Sequence, residues 1–208
     1  MEAAQDGVKR LLLVGNPNVG KSALFTRITG VHAVSSNYPG TTVGFLEGWL
    51  RRGGEVWRVI DVPGAYTLSP TNEAEEVAER MVDEGADAVI LVLDATALER
   101  NLFLALQVME RGLPVVVALN MVDEARHKGI EIDVEELERS LGVPVVPTVA
   151  VTGEGISRLL DRLTEAGPGG LLLPGANERR VPGRDDRWSA IGEVIESVQR
   201  VSHRHHTL

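Results

Sequence analysis

The chain has 208 residues, 21 Lys and Arg against 30 Asp and Glu, a formal charge of −9 and no cysteine. At roughly 100 to 200 residues per domain this allows one well-cored domain and a small appendage, and it excludes a disulfide scaffold or a thiolate metal site. The acidic balance argues against nucleic acid as a partner, and no apolar run reaches the roughly 18 residues that a membrane helix needs.

Apolar runs alternate with helix-period segments, the pattern of an α/β protein with a largely parallel sheet. Residues 10–14 (RLLLV) read as a buried strand, ended by a Gly-Asn-Pro-Asn turn. Residues 20–29 follow as a helix with Leu24, Phe25 and Ile28 on one face. Residues 31–42 read as a loop, and 43–51 and 55–61 as two strands of a hairpin turned at Gly53-Gly54. A polar helix is expected over 73–84. Strands are expected over 88–94, 114–120 and 144–148, each a continuous apolar run suited to a sheet covered on both faces. Helices over about 98–111, 133–141 and 155–166 fill the gaps, about six strands and five helices in all. Residues 167–187, rich in Gly and Pro among charges, read as a linker. Residues 188–202 place Trp188, Ile191, Ile195 and Val198 at helical spacing.

Four elements carry chemistry. Gly15-Asn16-Pro17-Asn18-Val19-Gly20-Lys21-Ser22 fits G-x-x-x-x-G-K-[ST] and stands after a strand and at the opening of a helix. In that setting the backbone amides from Asn18 to Ala23 converge on phosphate oxygens, Lys21 bridges the β- and γ-phosphates, and the Ser22 hydroxyl ligates Mg²⁺. Lys21 is one of only three lysines, with Lys9 and Lys128. Next, Asp61-Val62-Pro63-Gly64 closes a strand 40 residues after Lys21. Asp61 there serves the Mg²⁺ shell, usually through a water, and Gly64 offers its amide to the γ-phosphate. Taken alone, such a tetrapeptide is simply a turn.

Third, Asn120-Met121-Val122-Asp123 closes another apolar strand. A carboxylate at Asp123 can accept from both N1–H and the exocyclic amine of guanine, an arrangement that adenine does not offer. A helix-capping Asp is the plainer alternative. Fourth, Thr148-Val149-Ala150 ends the last strand, where a backbone amide meets the guanine O6. Between the first two elements lies Asn37-Tyr38-Pro39-Gly40-Thr41-Thr42-Val43. A threonine in such a loop adds a hydroxyl to Mg²⁺ and its amide to the γ-phosphate only when triphosphate is bound; Thr42 is the candidate and Thr41 the runner-up. Order and spacing together make the guanine reading, and the four elements resemble those of a translation-factor-type GTPase domain, which implies an α/β P-loop GTPase fold of the Ras-like kind. Its mostly parallel sheet of about six strands carries helices on both faces, and a short C-terminal helix is appended.

GNPNVGKSALF, NYPGTTV, DVPGAYTLSP, DATALERNL and ALNMVDEA together resemble the cytosolic domain of the ferrous iron transport protein B family over about residues 10–165. Met121 stands where most GTPases carry lysine. The resemblance implies Mg²⁺-dependent hydrolysis of GTP to GDP that controls passage of Fe²⁺ through a membrane-embedded channel domain of the same or a partner chain. This chain would then be the cytoplasmic domain of a bacterial or archaeal cell-membrane protein, with self-association left open. It also implies potassium as an activator: Asn18 matches the asparagine that helps to hold K⁺ beside the phosphates, so Asn18, Lys21 and Thr42 form the catalytic set. Ala65 stands where Ras-like enzymes place a water-orienting glutamine, which implies slow hydrolysis. Gly44, Tyr38 and Ser36 depart from the family's usual glutamate, tryptophan and glycine. The family's helical domain after the core is also longer than the roughly 40 residues here.

The expected organisation is a tail over 1–9, a GTPase domain over 10–166, a linker over 167–187 and a helix with tail over 188–208. A ribosome-assembly GTPase is disfavoured by Met121, LERNL and the negative charge. A GTP sensor with negligible hydrolysis is kept open by Ala65. His203, His205 and His206 read as solvated tail residues rather than metal ligands.

Overall fold

The computed structural model describes residues 7–30 and 32–202. The three tail histidines lie outside them. The described chain folds around a seven-stranded sheet with a small two-stranded sheet beside it. The strands are β1 (Val8–Gly15), β2 (Val34–Asn37), β3 (Gly44–Arg52), β4 (Glu55–Asp61), β5 (Ala88–Asp94), β6 (Val115–Asn120), β7 (Ile130–Ile132), β8 (Val145–Pro147) and β9 (Gln199–Val201). The helices are α1 (Lys21–Thr29), α2 (Glu73–Asp83), α3 (Leu98–Glu110), α4 (Val122–His127), α5 (Val134–Leu141), α6 (Ile156–Asp161) and α7 (Arg187–Val198).

Strand order is β2-β3-β4-β1-β5-β6-β8. From β4 to β8 all pairings are parallel, and the β2–β3 and β3–β4 pairings are antiparallel. Every residue of β5 and β6 is buried. Their unbroken apolar runs are explained by helices on both faces. One apolar layer holds Leu12, Leu91, Val117 and residues of α2, α3, α5 and α7; the other holds Leu11, Leu13, Ile90 and Val116 against α1 and α6. β3 alternates buried Gly48 and Leu50 with exposed Trp49 and Arg51, as an outer strand should. The β3–β4 turn places Gly53 and Gly54 at φ 59° and 77°, the left-handed pair that a tight hairpin demands. Because β1, β4, β5, β6 and β8 all point the same way, their C-terminal ends open on one rim, the usual ligand edge of such sheets.

Several expectations change. β2 lies inside the segment expected to be a loop: its Val34-Ser35-Ser36-Asn37 run lacks an apolar pattern and becomes strand only by pairing with β3. α4, β7 and β9 leave no clear mark in the sequence pattern either, each being six residues or fewer. The helix expected over 155–166 is α6 followed by a 3₁₀ turn, Arg162–Glu165. The last helix stops at Val198 instead of running to 202. There the Asp133 amide donates to the Val198 carbonyl at 2.8 Å, and β9 pairs antiparallel with β7. Helical periodicity cannot register that stop, because a tertiary pairing imposes it. Residues 167–187 run along the core: Leu171 is buried, and the Leu172 amide donates to the Ser140 carbonyl at 2.9 Å. α7 then packs on α3, with Trp188 stacked on Phe103 at 4.8 Å between ring centroids.

Candidate nucleotide site

The loop from Asn16 to Gly20 joins the end of β1 to the start of α1, with Asn18 at φ 63° and Gly20 at φ 82°. Gly15 lies so close to β5 that a Cβ there would come within 2.7 Å of the Val92 carbonyl. A Cβ on Gly20 would collide with the side-chain amide of Asn120. Glycine is therefore required at both positions by close packing. Among the described residues no side chain caps α1, whose N-cap is Gly20. Its first-turn amides are thus free of side-chain acceptors and point where an anion would bind.

Lys21 and Asp61 are buried and form an ion pair, and Lys21 Nζ also donates to the Val62 carbonyl at 2.6 Å. The pair crosses from the first turn of α1 to the end of β4. Two cavities adjoin it. One, of about 400 Å³, is bordered by Asn16, Pro17, Asn18, Gly20, Lys21, Ser22, Ala23 and Gly64. The other, of about 280 Å³, is bordered by Lys21, Ser22, Asp61, Pro63 and Gly64, and also by Ser35, Gly44 and Phe45. Lys21, Ser22 and Gly64 belong to both. The Ser22 hydroxyl and the Asp61 carboxylate beside one cavity are hard oxygen donors, so this pair of residues fits Mg²⁺. Asn18 adds a carboxamide oxygen on the other side, a donor suited to a monovalent cation.

The loop bearing Gly40, Thr41 and Thr42 is folded on itself. Thr41 Oγ1 donates to the Tyr38 carbonyl at 2.9 Å and accepts from the Val43 amide at 3.1 Å. Thr42 is exposed and borders neither cavity. Tyr38 donates its hydroxyl to Glu84 at 2.5 Å, just past α2. This hydrogen bond, with some burial, raises the Tyr38 pKa above its ordinary value. The following segment is pinned as well: Ala65 is buried and its amide donates to the Gly15 carbonyl at 3.3 Å. The buried Glu75 accepts from Thr71 N–H and Oγ1 at 3.0 and 2.9 Å, and Gln107 of α3 accepts from the Leu68 amide at 2.7 Å.

Asn120 joins the two halves of the site. Its Nδ2 donates to the Val19 carbonyl at 2.9 Å, and its Oδ1 accepts from Thr148 Oγ1 and the Ala150 amide, each at 3.0 Å. The phosphate loop and the loop after β8 are therefore bound through one buried side chain. Met121, at φ 61°, turns the chain into α4 and leaves Asp123 half-buried in its first turn. The Thr148 and Val149 amides donate to the Leu119 and Glu154 carbonyls at 2.8 and 3.0 Å.

Arg27, Glu75 and Gln107, which no motif announced, hold the loops around the site. Asn16, within the phosphate loop, is buried, and neither of its carboxamide atoms has a hydrogen-bond partner among the described residues. Asn101, within LERNL, accepts from the Asp94 amide at 3.2 Å and donates to the Ala97 carbonyl at 2.8 Å. That stretch thus braces the turn between β5 and α3.

Comparison with known proteins agrees with this geometry. The family model described as ferrous iron transport protein B matches residues 9–163. A Porphyromonas gingivalis Fe(2+) transport protein A/Fe(2+) transporter FeoB fusion protein is 45% identical over 193 residues, covering 92% of this chain and 22% of that protein. The solved cytosolic domain of L. pneumophila FeoB superposes with a TM-score of 0.83 at 30% identity, covering 92% of this chain and 99% of that one. The cytosolic domain of T. maritima FeoB in its GMPPNP form has a TM-score of 0.73 at 36% identity, covering 84% and 67% of the two chains. This chain thus spans about a fifth of the length of the fusion protein. Among the described residues no helix is long and apolar enough to cross a membrane. With its P-loop GTPase fold and GTP-binding motifs, the chain belongs to the ferrous iron transport protein B family, of which residues 9–163 are the N-terminal G domain.

Proposed function

We propose that this chain hydrolyses GTP slowly, with potassium as activator, and that its nucleotide state gates ferrous iron passage through a membrane-embedded channel domain. The observation that carries the reading is the convergence of Lys21, Ser22 and Gly64 on two adjoining cavities, with Asn120 binding the phosphate loop to the loop of Thr148, Val149 and Ala150. In this reading residues 10–166 form the GTPase domain, residues 167–187 link it to α7, and the segment of α7 is the one that leads toward the membrane, on whose cytoplasmic side the domain works.

Backbone amides from Asn18 to Ala23 cradle the β-phosphate, and Lys21 exchanges its bond to Asp61 for phosphate oxygens. Ser22 and Asp61, with Thr42 once its loop has closed over the nucleotide, hold Mg²⁺, which offsets phosphate charge when bound. Gly64 offers its amide to the γ-phosphate, and Gly40 and Thr41 join Thr42 at the nucleotide once the loop has closed. Asn18 would hold K⁺, whose charge would do the work that an arginine finger does in other GTPases. Asp123 selects guanine, flanked by Met121 and the loop after β8. Ala65 has no side chain to orient water, which supports a low intrinsic rate and also keeps a GTP-sensing role in view.

Turnover measured in KCl and in NaCl at equal ionic strength, with Mg²⁺ present, tests the reading. Faster release of phosphate in KCl, lost in Asn18→Ala, is the expected result. Equal and negligible rates in both salts would sink potassium-assisted hydrolysis in favour of a sensor.

A further inference from the structure

The loop after β8 is gripped from two sides. On the inner side Asn120 Oδ1 accepts from the Ala150 amide at 3.0 Å. On the outer side Arg27, in the last turn of α1, donates through Nε to the Ala150 carbonyl at 3.1 Å and through a terminal nitrogen to the Val151 carbonyl at 2.6 Å. The loop closes tightly around that guanidinium: a Cβ on Gly153, which sits at φ 87°, would lie 3.3 Å from its nitrogen. Ala150 is therefore held at both its N–H and its C=O. The Val151 N–H shares a trans peptide with the gripped Ala150 carbonyl and so points away from Arg27. Among the described residues it has no hydrogen-bond acceptor. The two gripping groups differ in kind. Asn120 is buried in the rim of the sheet, whereas Arg27 is exposed on the helix that begins at the phosphate loop.

We infer that Arg27 is a positioning residue for the guanine nucleotide: by holding two consecutive carbonyls it fixes the Val151 N–H, which alone among the amides of residues 148–152 has no acceptor among the described residues, against the base and slows GDP release. The inference rests on the reading of that loop as the guanine contact and names the residue that sets its mobility. A guanidinium suits the task because its planar fork can serve two carbonyl oxygens at once, which a single ammonium does less well. Since Arg27 is exposed, its loss removes little buried surface, so the effect falls on the loop more than on the fold.

Release of mant-GDP from the 208-residue chain, followed by stopped-flow fluorescence, tests this. Arg27→Met is expected to accelerate release about tenfold, as the loss of one to two charge-assisted hydrogen bonds implies. Arg27→Lys should fall between Arg27→Met and the unaltered chain. Single-turnover hydrolysis of GTP already bound should be unchanged in both. Unaltered release in Arg27→Met overturns the inference, and a lowered melting temperature with unaltered release assigns Arg27 to fold stability instead. Asp123→Asn separates the two readings. If it loses guanine preference while Arg27→Met releases mant-GDP at the original rate, only the role of Arg27 fails. If it keeps guanine preference, the base site itself is misassigned and the inference falls with it.

Discussion

Lys21, at the start of α1, and Asp61, at the end of β4, are bound to each other, and each side chain is only 10% exposed. Such a pair holds the ammonium in place before any triphosphate arrives. It also couples the fold to the site, because neither charge can be left alone at that depth. Lys21→Met should therefore do more than abolish triphosphate binding. It should destabilise the nucleotide-free chain by about 3 kcal/mol, the cost of stranding a buried carboxylate. Urea denaturation without nucleotide measures this, and unchanged stability would show that the pair does not form in solution.

Asn120 makes three hydrogen bonds that join two loops distant in sequence. In Asn120→Ala the Val19 carbonyl and the Ala150 amide lose their partner inside the protein. A loss of about 2–4 kcal/mol is expected from the unsatisfied groups. Affinity should fall for GDP and GTP alike, because the variant loosens the phosphate and base loops together. Calorimetric titration alongside thermal melting would show both effects. A stable variant with unchanged affinity would contradict the role of Asn120 as the joint.

Tyr38 ties the loop that carries Thr42 to Glu84. A loop so anchored has to surrender that bond before Thr42 can reach a nucleotide, which lowers apparent GTP affinity. Tyr38→Phe should raise affinity for a non-hydrolysable GTP analogue about threefold, the equivalent of one modest hydrogen bond, and leave GDP affinity unchanged. The phenol pKa is raised, so the anchor is complete below its ordinary value of 10.0 and is lost only as pH rises through the higher folded value. Equal gains for GDP and the analogue would refute the anchor.

Acid stability has a local contributor in Glu138 of α5. Burial opposes its ionisation, but hydrogen bonds from Arg162 and the Val145 amide outweigh this, and its pKa is lowered from 4.5. A depressed carboxyl stabilises the fold above its unfolded pKa, and that contribution disappears as pH falls through the folded value. Because the side chain is 37% exposed, the gain is no more than about 1 kcal/mol. Glu138→Gln should lower the denaturation midpoint at pH 7 and narrow the difference from the unaltered chain below about pH 4. A difference independent of pH would place the effect in packing alone.

How far this structure could be read from residues depends on the range of the interactions involved. β5 and β6 are legible because a strand covered on both faces must be apolar throughout, and 88–94 and 114–120 show it directly. The phosphate loop is legible for a similar local reason: its glycines, lysine and serine are contiguous, so strand, turn and helix N-terminus follow from one octapeptide. β2 and β9 are not legible, since Val34–Asn37 and Gln199–Val201 carry no periodicity and become strands only because β3 and β7 offer edges.

The same division runs through the site. The residue types of the candidate site follow from the motifs Gly15 to Ser22, Asp61 to Gly64 and Asn120 to Asp123, whose chemistry depends on short spacing. Only the tertiary structure decided that Lys21 pairs with Asp61 across 40 residues, that Asn120 reaches Val19 across 101, and that Arg27 grips Ala150 across 123. A hydrogen bond between distant residues leaves no periodic trace, because its partners are brought together by the register of the sheet and the packing of α1.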